Sequence, residues 1–150
     1  MRLAIQMSFE KMQDGSGGPF GAVIVLDNKI IGQGWNQVTS ANDPTAHAEV
    51  VAIRNACAHI SSFSLAGATL YTSCEPCPMC LAAAYWARVD AIFYANTRQD
   101  AASINFDDDF FYQEIAKPIE SRQVPMQQLL RHEAIDVFAA WTKKIDKIAY

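Results

Sequence analysis

The stretch ATLYTSCEPCPMCLAAAYWAR, Ala68 to Arg88, decides the fold of this chain. ATLYTS (Ala68 to Ser73) reads as a short buried strand, rich in residues that favour a pleated surface. CPMCLAAAYWAR (Cys77 to Arg88) reads as a strongly apolar helix, one that must be covered on several sides. DAIFYAN, from Asp90, then supplies another strand. A strand, a buried helix and a second strand in close succession point to an α/β layer fold.

The flanking sequence fits that frame. Leu3, Met7 and Met12 recur at roughly helical spacing, so a first helix is expected over residues 3 to 13. DGSGGP (Asp14 to Pro19) is a loop by composition. FGAVIVLD (Phe20 to Asp27) reads as a strand, Asp27-Asn28 as a turn, and KIIGQGWNQV as the second arm of a hairpin. TAHAEVVAIRNACAHI (Thr45 to Ile60) places Val50, Ile53, Ala56, Cys57 and Ile60 on one helical face. Downstream, INFDDDFFYQEIAK begins as a loop and becomes a helix. RQVPMQQLL reads as a final strand, and Glu133 to Lys147 as a final amphipathic helix. No repeat or linker divides residues 1 to 150, so a single domain is expected.

Composition narrows the function. The chain has 150 residues, 51% of them apolar, enough for a core that needs no cross-links. Its net charge of −4, from 12 basic and 16 acidic residues, argues against nucleic acid as the main partner. No apolar run approaches the roughly 20 residues a membrane span needs. Gln6, Glu10 and Lys11 interrupt the N-terminal apolar stretch, so it does not read as a signal peptide. The expected compartment is a reducing cytoplasm, where clustered cysteines more often bind metal than pair.

Three of the four cysteines, Cys74, Cys77 and Cys80, stand three apart. Cys77 and Cys80 are placed in the first turn of a helix starting after Pro76, where residues at i and i+3 share a face. His47 and Glu49 are placed just inside the helix that begins near Thr45. One imidazole and two thiolates suit Zn²⁺, and three protein ligands leave a fourth position for water. Glu49 is then free for proton transfer. An iron–sulfur cluster would need Cys57, which belongs to an apolar helix face. The serious rival is a closed structural zinc site with Cys74 as fourth ligand, in a non-enzymatic interaction domain.

His47-Ala48-Glu49 followed by Pro76-Cys77-Pro78-Met79-Cys80 resembles the signature of the cytidine-deaminase-like zinc deaminases. The resemblance implies a three-layer α/β/α sandwich around a mixed sheet of about five strands. Within that superfamily, GGPFGAVIV, NDPTAHAEV, NFDDDF and the terminal Tyr150 resemble the bacterial guanine deaminases. What this implies is hydrolysis of guanine to xanthine and ammonia with one zinc per subunit, held by His47, Cys77 and Cys80. Glu49 would move the protons. Asn36 would bond the purine edge and Asp108 the amino group, with Asp107 and Asp109 competing for that role. Ala48 would contact substrate, Phe20 and Trp86 would shape a slot for the flat ring, and Tyr150 would act as a lid. A homodimer with exchanged C-terminal tails is also implied. The tRNA adenosine deaminases are similar in NDPTAHAE, and they and other nucleobase or nucleoside deaminases are the rival enzymes.

Overall fold

Asp27 and Asn28 both take left-handed backbone conformations, with φ of 49° and 59°, and close a two-residue hairpin. Its arms are β1 (Gly18–Leu26) and β2 (Lys29–Asn36) in the computed structural model, which describes residues 1–149. β3 (Thr69–Cys74) pairs antiparallel with the other edge of β1, and β4 (Ala91–Asn96) runs parallel to β3. The sheet order is β2-β1-β3-β4. The parallel step is made by α4 (Pro78–Trp86), the apolar helix expected between these strands.

Helices cover both faces. α1 (Arg2–Gln13) packs Ala4 and Met7 on Val23, with Val25 and Trp35 around them. The opposite face, Ala22, Ile24 and Leu70, meets Ala48, Ala52 and Ala56 of α3 (Ala48–Ile60) and Ala84 of α4. Alternate strand residues thus point to the two helix layers, giving the expected α/β/α arrangement.

The contact of α3 with β2 is unusually close, and residue size explains it. The alanine stripe at i, i+4 and i+8 lies over Gly32 and Gly34. A methyl group at Gly34 would stand 2.3 Å from the Ala48 carbonyl oxygen, and one at Gly32 would stand 2.4 Å from that of Ala52. Only glycine lets the helix sit this deep. That depth fixes the start of α3, and with it residues 47 to 49.

After β4 come α5 (Arg98–Ser103), α6 (Asp108–Ala116), a 3₁₀ turn at Ile119–Ser121 and α7 (Arg131–Lys143). A four-residue helix, α2 (Val38–Ala41), follows β2. The sheet has four strands among the described residues, one fewer than expected. RQVPMQQLL, residues 122 to 130, forms no strand. Pro125 lacks a ladder donor, and the Arg122 guanidinium donates to the carbonyls of Lys117 and Ile115, which folds the segment back on itself.

The chain divides into two compact units, Met1–Tyr112 and Gln113–Tyr150. The first contains the sheet, both helix layers and every site residue described below. The second contains the end of α6, the 3₁₀ turn and α7. Within it the Glu114 carboxylate accepts from Lys117 and from the backbone N–H of Gln123. Val137 and Phe138 of α7 are exposed. No helix among the described residues is long and apolar enough to cross a membrane.

Candidate active site

His47 and Cys77 occupy equivalent places in two different helices. His47 is the N-cap of α3, with φ −67° and ψ 155°, and Cys77 is the N-cap of α4, with φ −65° and ψ 167°. Both lie one step outside the helix in which the sequence reading placed them. Pro78, not Pro76, is the first helical residue of α4, where a missing N–H costs nothing. Glu49 is the second residue of α3, and Cys80, fully buried, is the third of α4.

These positions converge. His47 Nδ1 lies 3.6 Å from the Sγ of Cys77 and 3.6 Å from the Sγ of Cys80. One donor atom from each of the three residues lies within 4.8 Å of the others. Zinc–sulfur and zinc–nitrogen bonds of about 2.3 and 2.05 Å at a tetrahedral angle give a nitrogen–sulfur edge of about 3.6 Å. The donor set and its spacing therefore fit zinc. The protein itself prepares a thiolate. The Cys77 thiol is lowered to about 4, first by the hydrogen bond from Cys80 and then by His47. Cys80, as donor in that bond, holds its proton more tightly. Hydrogen bonding to Cys77 raises the pKa of His47.

Cys74 stands apart from this group. Its thiol donates to the Thr97 carbonyl at 3.5 Å, and burial pushes its pKa up to about 12. Its sulfur is engaged with that backbone carbonyl, and the donor atoms that lie within 4.8 Å of one another among the described residues are those of His47, Cys77 and Cys80, which leaves Cys74 outside the candidate metal site.

Glu49 is buried, with 6% of its surface exposed, and burial raises its pKa. The Thr72 hydroxyl donates to its Oε1 at 3.1 Å. Thr72 was not singled out from the sequence. The inward-facing position of a polar residue on β3 was the available signal.

A cavity of about 330 Å³ opens over these groups. Phe20, Asn36, Ala48 and Asp108 line it beside His47, Glu49 and Cys77. The Phe20 ring meets Phe106 edge to face, centroids 4.7 Å apart. Phe106, Val38, Thr39 and Pro44 complete the apolar wall and were missed from sequence. Phe106 belongs to the NFDDDF stretch and directly precedes its three acids.

Residues 1–96 match the cytidine and deoxycytidylate deaminase zinc-binding region. The chain belongs to this deaminase family. It is 51% identical over 150 residues to guanine deaminase from Bacillus subtilis (strain 168), covering 100% of this chain and 96% of that protein. The X-ray structure of guanine deaminase from Bacillus subtilis superposes with a TM-score of 0.96 at 52% identity, covering 99% of this chain and 95% of that one. A tRNA-specific adenosine deaminase of Buchnera aphidicola subsp. Schizaphis graminum (strain Sg) is 38% identical over 100 residues, 67% of this chain and 66% of that protein.

In this deaminase the residues expected from sequence divide into two sets. His47, Ala48, Glu49, Cys77, Asn36, Phe20 and Asp108 meet at one cavity, with Cys80 completing the donor cluster. Asn36 is buried, and its Oδ1 accepts from the Val38 N–H at 3.2 Å, so it also shapes the exit from β2. Of the three consecutive acids, Asp108 is the one on the cavity wall, and burial raises its pKa. Trp86 is not brought to the cavity. It is 64% exposed, with Arg88 6.0 Å from its ring. Cys80 and Ala84 form the buried side of α4, and two residues beyond Ala84 the helix faces outward. Tyr150 lies outside the described residues.

Proposed function

We propose that this deaminase hydrolyses guanine, with water, to xanthine and ammonia. The observation that carries the reaction class is the buried Glu49 carboxyl, held by Thr72 beside the three-donor cluster at the floor of a cavity. The choice of guanine is supported by the full-length relation to a guanine deaminase, against two-thirds coverage for the tRNA deaminase. The cavity volume, about 330 Å³, sits at the small end of the range of about 300–1,000 Å³ usual for ligand sites, in keeping with a free base.

His47, Cys77 and Cys80 would hold a zinc ion, which would supply Lewis-acid activation of a water for attack at C2 of the ring. The Glu49 carboxylate accepts one proton from the attacking water and delivers it to the ring nitrogen. It then takes the second proton from the hydroxyl added at C2 and gives it to the amine, which leaves as ammonia while the C2 carbonyl forms. Its raised pKa suits a group that must hold a proton between these transfers. Asn36, anchored through Oδ1, can offer its amide N–H to the purine edge. Asp108 accepts from the exocyclic amino group. Phe20, backed by Phe106, packs against the flat ring, and Ala48 leaves it room.

The deaminase works as a homodimer that exchanges its C-terminal segment, and Tyr150 closes the site as a lid. The unit starting at Gln113 and its exposed Val137 and Phe138 support this.

Ammonia release from guanine, adenine, cytosine, cytidine, guanosine and tRNA tests the proposal. Guanine should be preferred, and preference for tRNA or for a nucleoside would overturn it.

A further inference from the structure

Asp108 and Tyr112 are four residues apart on α6, so they share one face of that helix. Tyr112 is not exposed. Its hydroxyl donates to the Pro76 carbonyl at 2.8 Å. Pro76 immediately precedes Cys77, so this bond joins the helix carrying Asp108 to the turn carrying a metal donor. The Tyr112 ring is held in turn. The Arg98 guanidinium lies 4.3 Å from its centroid, a cation–π distance. Arg98 is tied to the same turn twice. Its backbone N–H donates to Glu75 Oε2 at 3.1 Å, and its Nε forms an ion pair, without hydrogen-bond geometry, to Glu75 Oε1 at 3.4 Å. The Glu75 N–H donates to the Asn96 carbonyl at 2.8 Å, which anchors the assembly to the end of β4.

We propose that Tyr112 is a positioning residue, which with Arg98 and Glu75 clamps the face of α6 that carries Asp108 to the Pro76-Cys77 turn. The clamp sets the spacing between Asp108 and the metal donors. The backbone hydrogen bonds of residues 104 to 107 run only to Ala101 and Ala102 of α5 and into α6 at Phe111, and none of them reaches the Pro76-Cys77 turn. A Tyr hydroxyl to a backbone carbonyl fixes both partners with few rotors. Groups that orient a metal ligand are typically worth about 10- to 100-fold in metal retention or activity.

The test is Tyr112→Phe, which keeps the ring over Arg98 and removes only the hydroxyl. Two measurements decide it. In zinc-loaded protein, the rate at which a chelator strips the metal should rise about tenfold. On guanine, kcat should fall about tenfold while KM stays within about threefold, because the ring slot is untouched. Arg98→Gln should move both quantities in the same direction. A stripping rate or a kcat within about twofold of wild type in Tyr112→Phe overturns the proposal. The kcat arm rests on the guanine reading, and the stripping arm does not. Wild-type protein inactive on guanine would therefore sink that reading and leave the clamp to be judged on metal retention.

Discussion

Glu49 and Cys74 are both buried and line the same cavity, and the proposed function gives them opposite roles. Burial raises both pKa values, but only Glu49 has a hydroxyl donor on its carboxylate and the metal donors beside it. Glu49→Gln keeps the shape and removes the proton carrier. It should bind one zinc per chain and lose about 10³-fold in kcat, measured by ammonia release alongside metal analysis. Near-full turnover would remove Glu49 from the mechanism. Cys74→Ser tests the opposite assignment and should keep zinc stoichiometry close to wild type. Its thiol also makes a pH prediction. The folded pKa is raised to about 12 from 9.0, so the folded state favours the neutral form. That contribution to stability is whole below pH 9 and is lost as pH rises toward 12. Thermal unfolding across this alkaline window should show a smaller drop in Cys74→Ser than in wild type.

Elements place these residues, and sequence made most elements legible because local rules and tertiary packing agree. The Asp27-Asn28 turn, the β-branched run of β1 and the apolar α4 each state their role locally. The one-residue offsets at His47 and Cys77 arose because a metal-donor residue serves as N-cap where Ser, Thr, Asp or Asn is usual. α5 was missed although its capping box, Thr97 with Asp100, is written in the sequence. Six mostly small or polar residues carry no apolar period. The strand expected at RQVPMQQLL did not form: Pro125 lacks a ladder donor, and Arg122 ties the segment to the carbonyls of Lys117 and Ile115. Trp86 was misplaced because an aromatic near a metal motif says nothing about its helix face. The depth of α3 on β2 was invisible until Gly32 and Gly34 were seen under the alanine stripe. Gly34→Ala should force the helix outward at a cost of about 2 kcal/mol, typical of overpacking. In a chain of this size that lowers Tm by about 4–8 °C. Because the same shift moves residues 47 to 49, kcat should fall as well. An unchanged Tm by calorimetry would mean the interface can yield freely.

At the scale of the whole molecule, the question is which chain completes which site. Glu49 lies in the unit ending at Tyr112, and Tyr150 belongs to the chain beyond it. If the tail serves a partner, a complete site draws on two chains, and mixed dimers report it. Light scattering after size exclusion should first give twice the chain mass of 16.6 kDa. On the proposed reading, a chain lacking its last few residues would keep its base and lose its lid, and a Glu49→Gln chain would keep the lid and lose its base. Each alone should be close to inactive while remaining folded by circular dichroism. Co-expressed in equal amounts, they should assemble so that about half of the dimers are mixed. Each mixed dimer would hold one site with both base and lid, so total activity should recover to about a quarter of wild type per chain. A lid acting within its own chain leaves every site defective, and the mixture would then be as inactive as its components. The truncated chain working normally by itself would remove the lid role altogether.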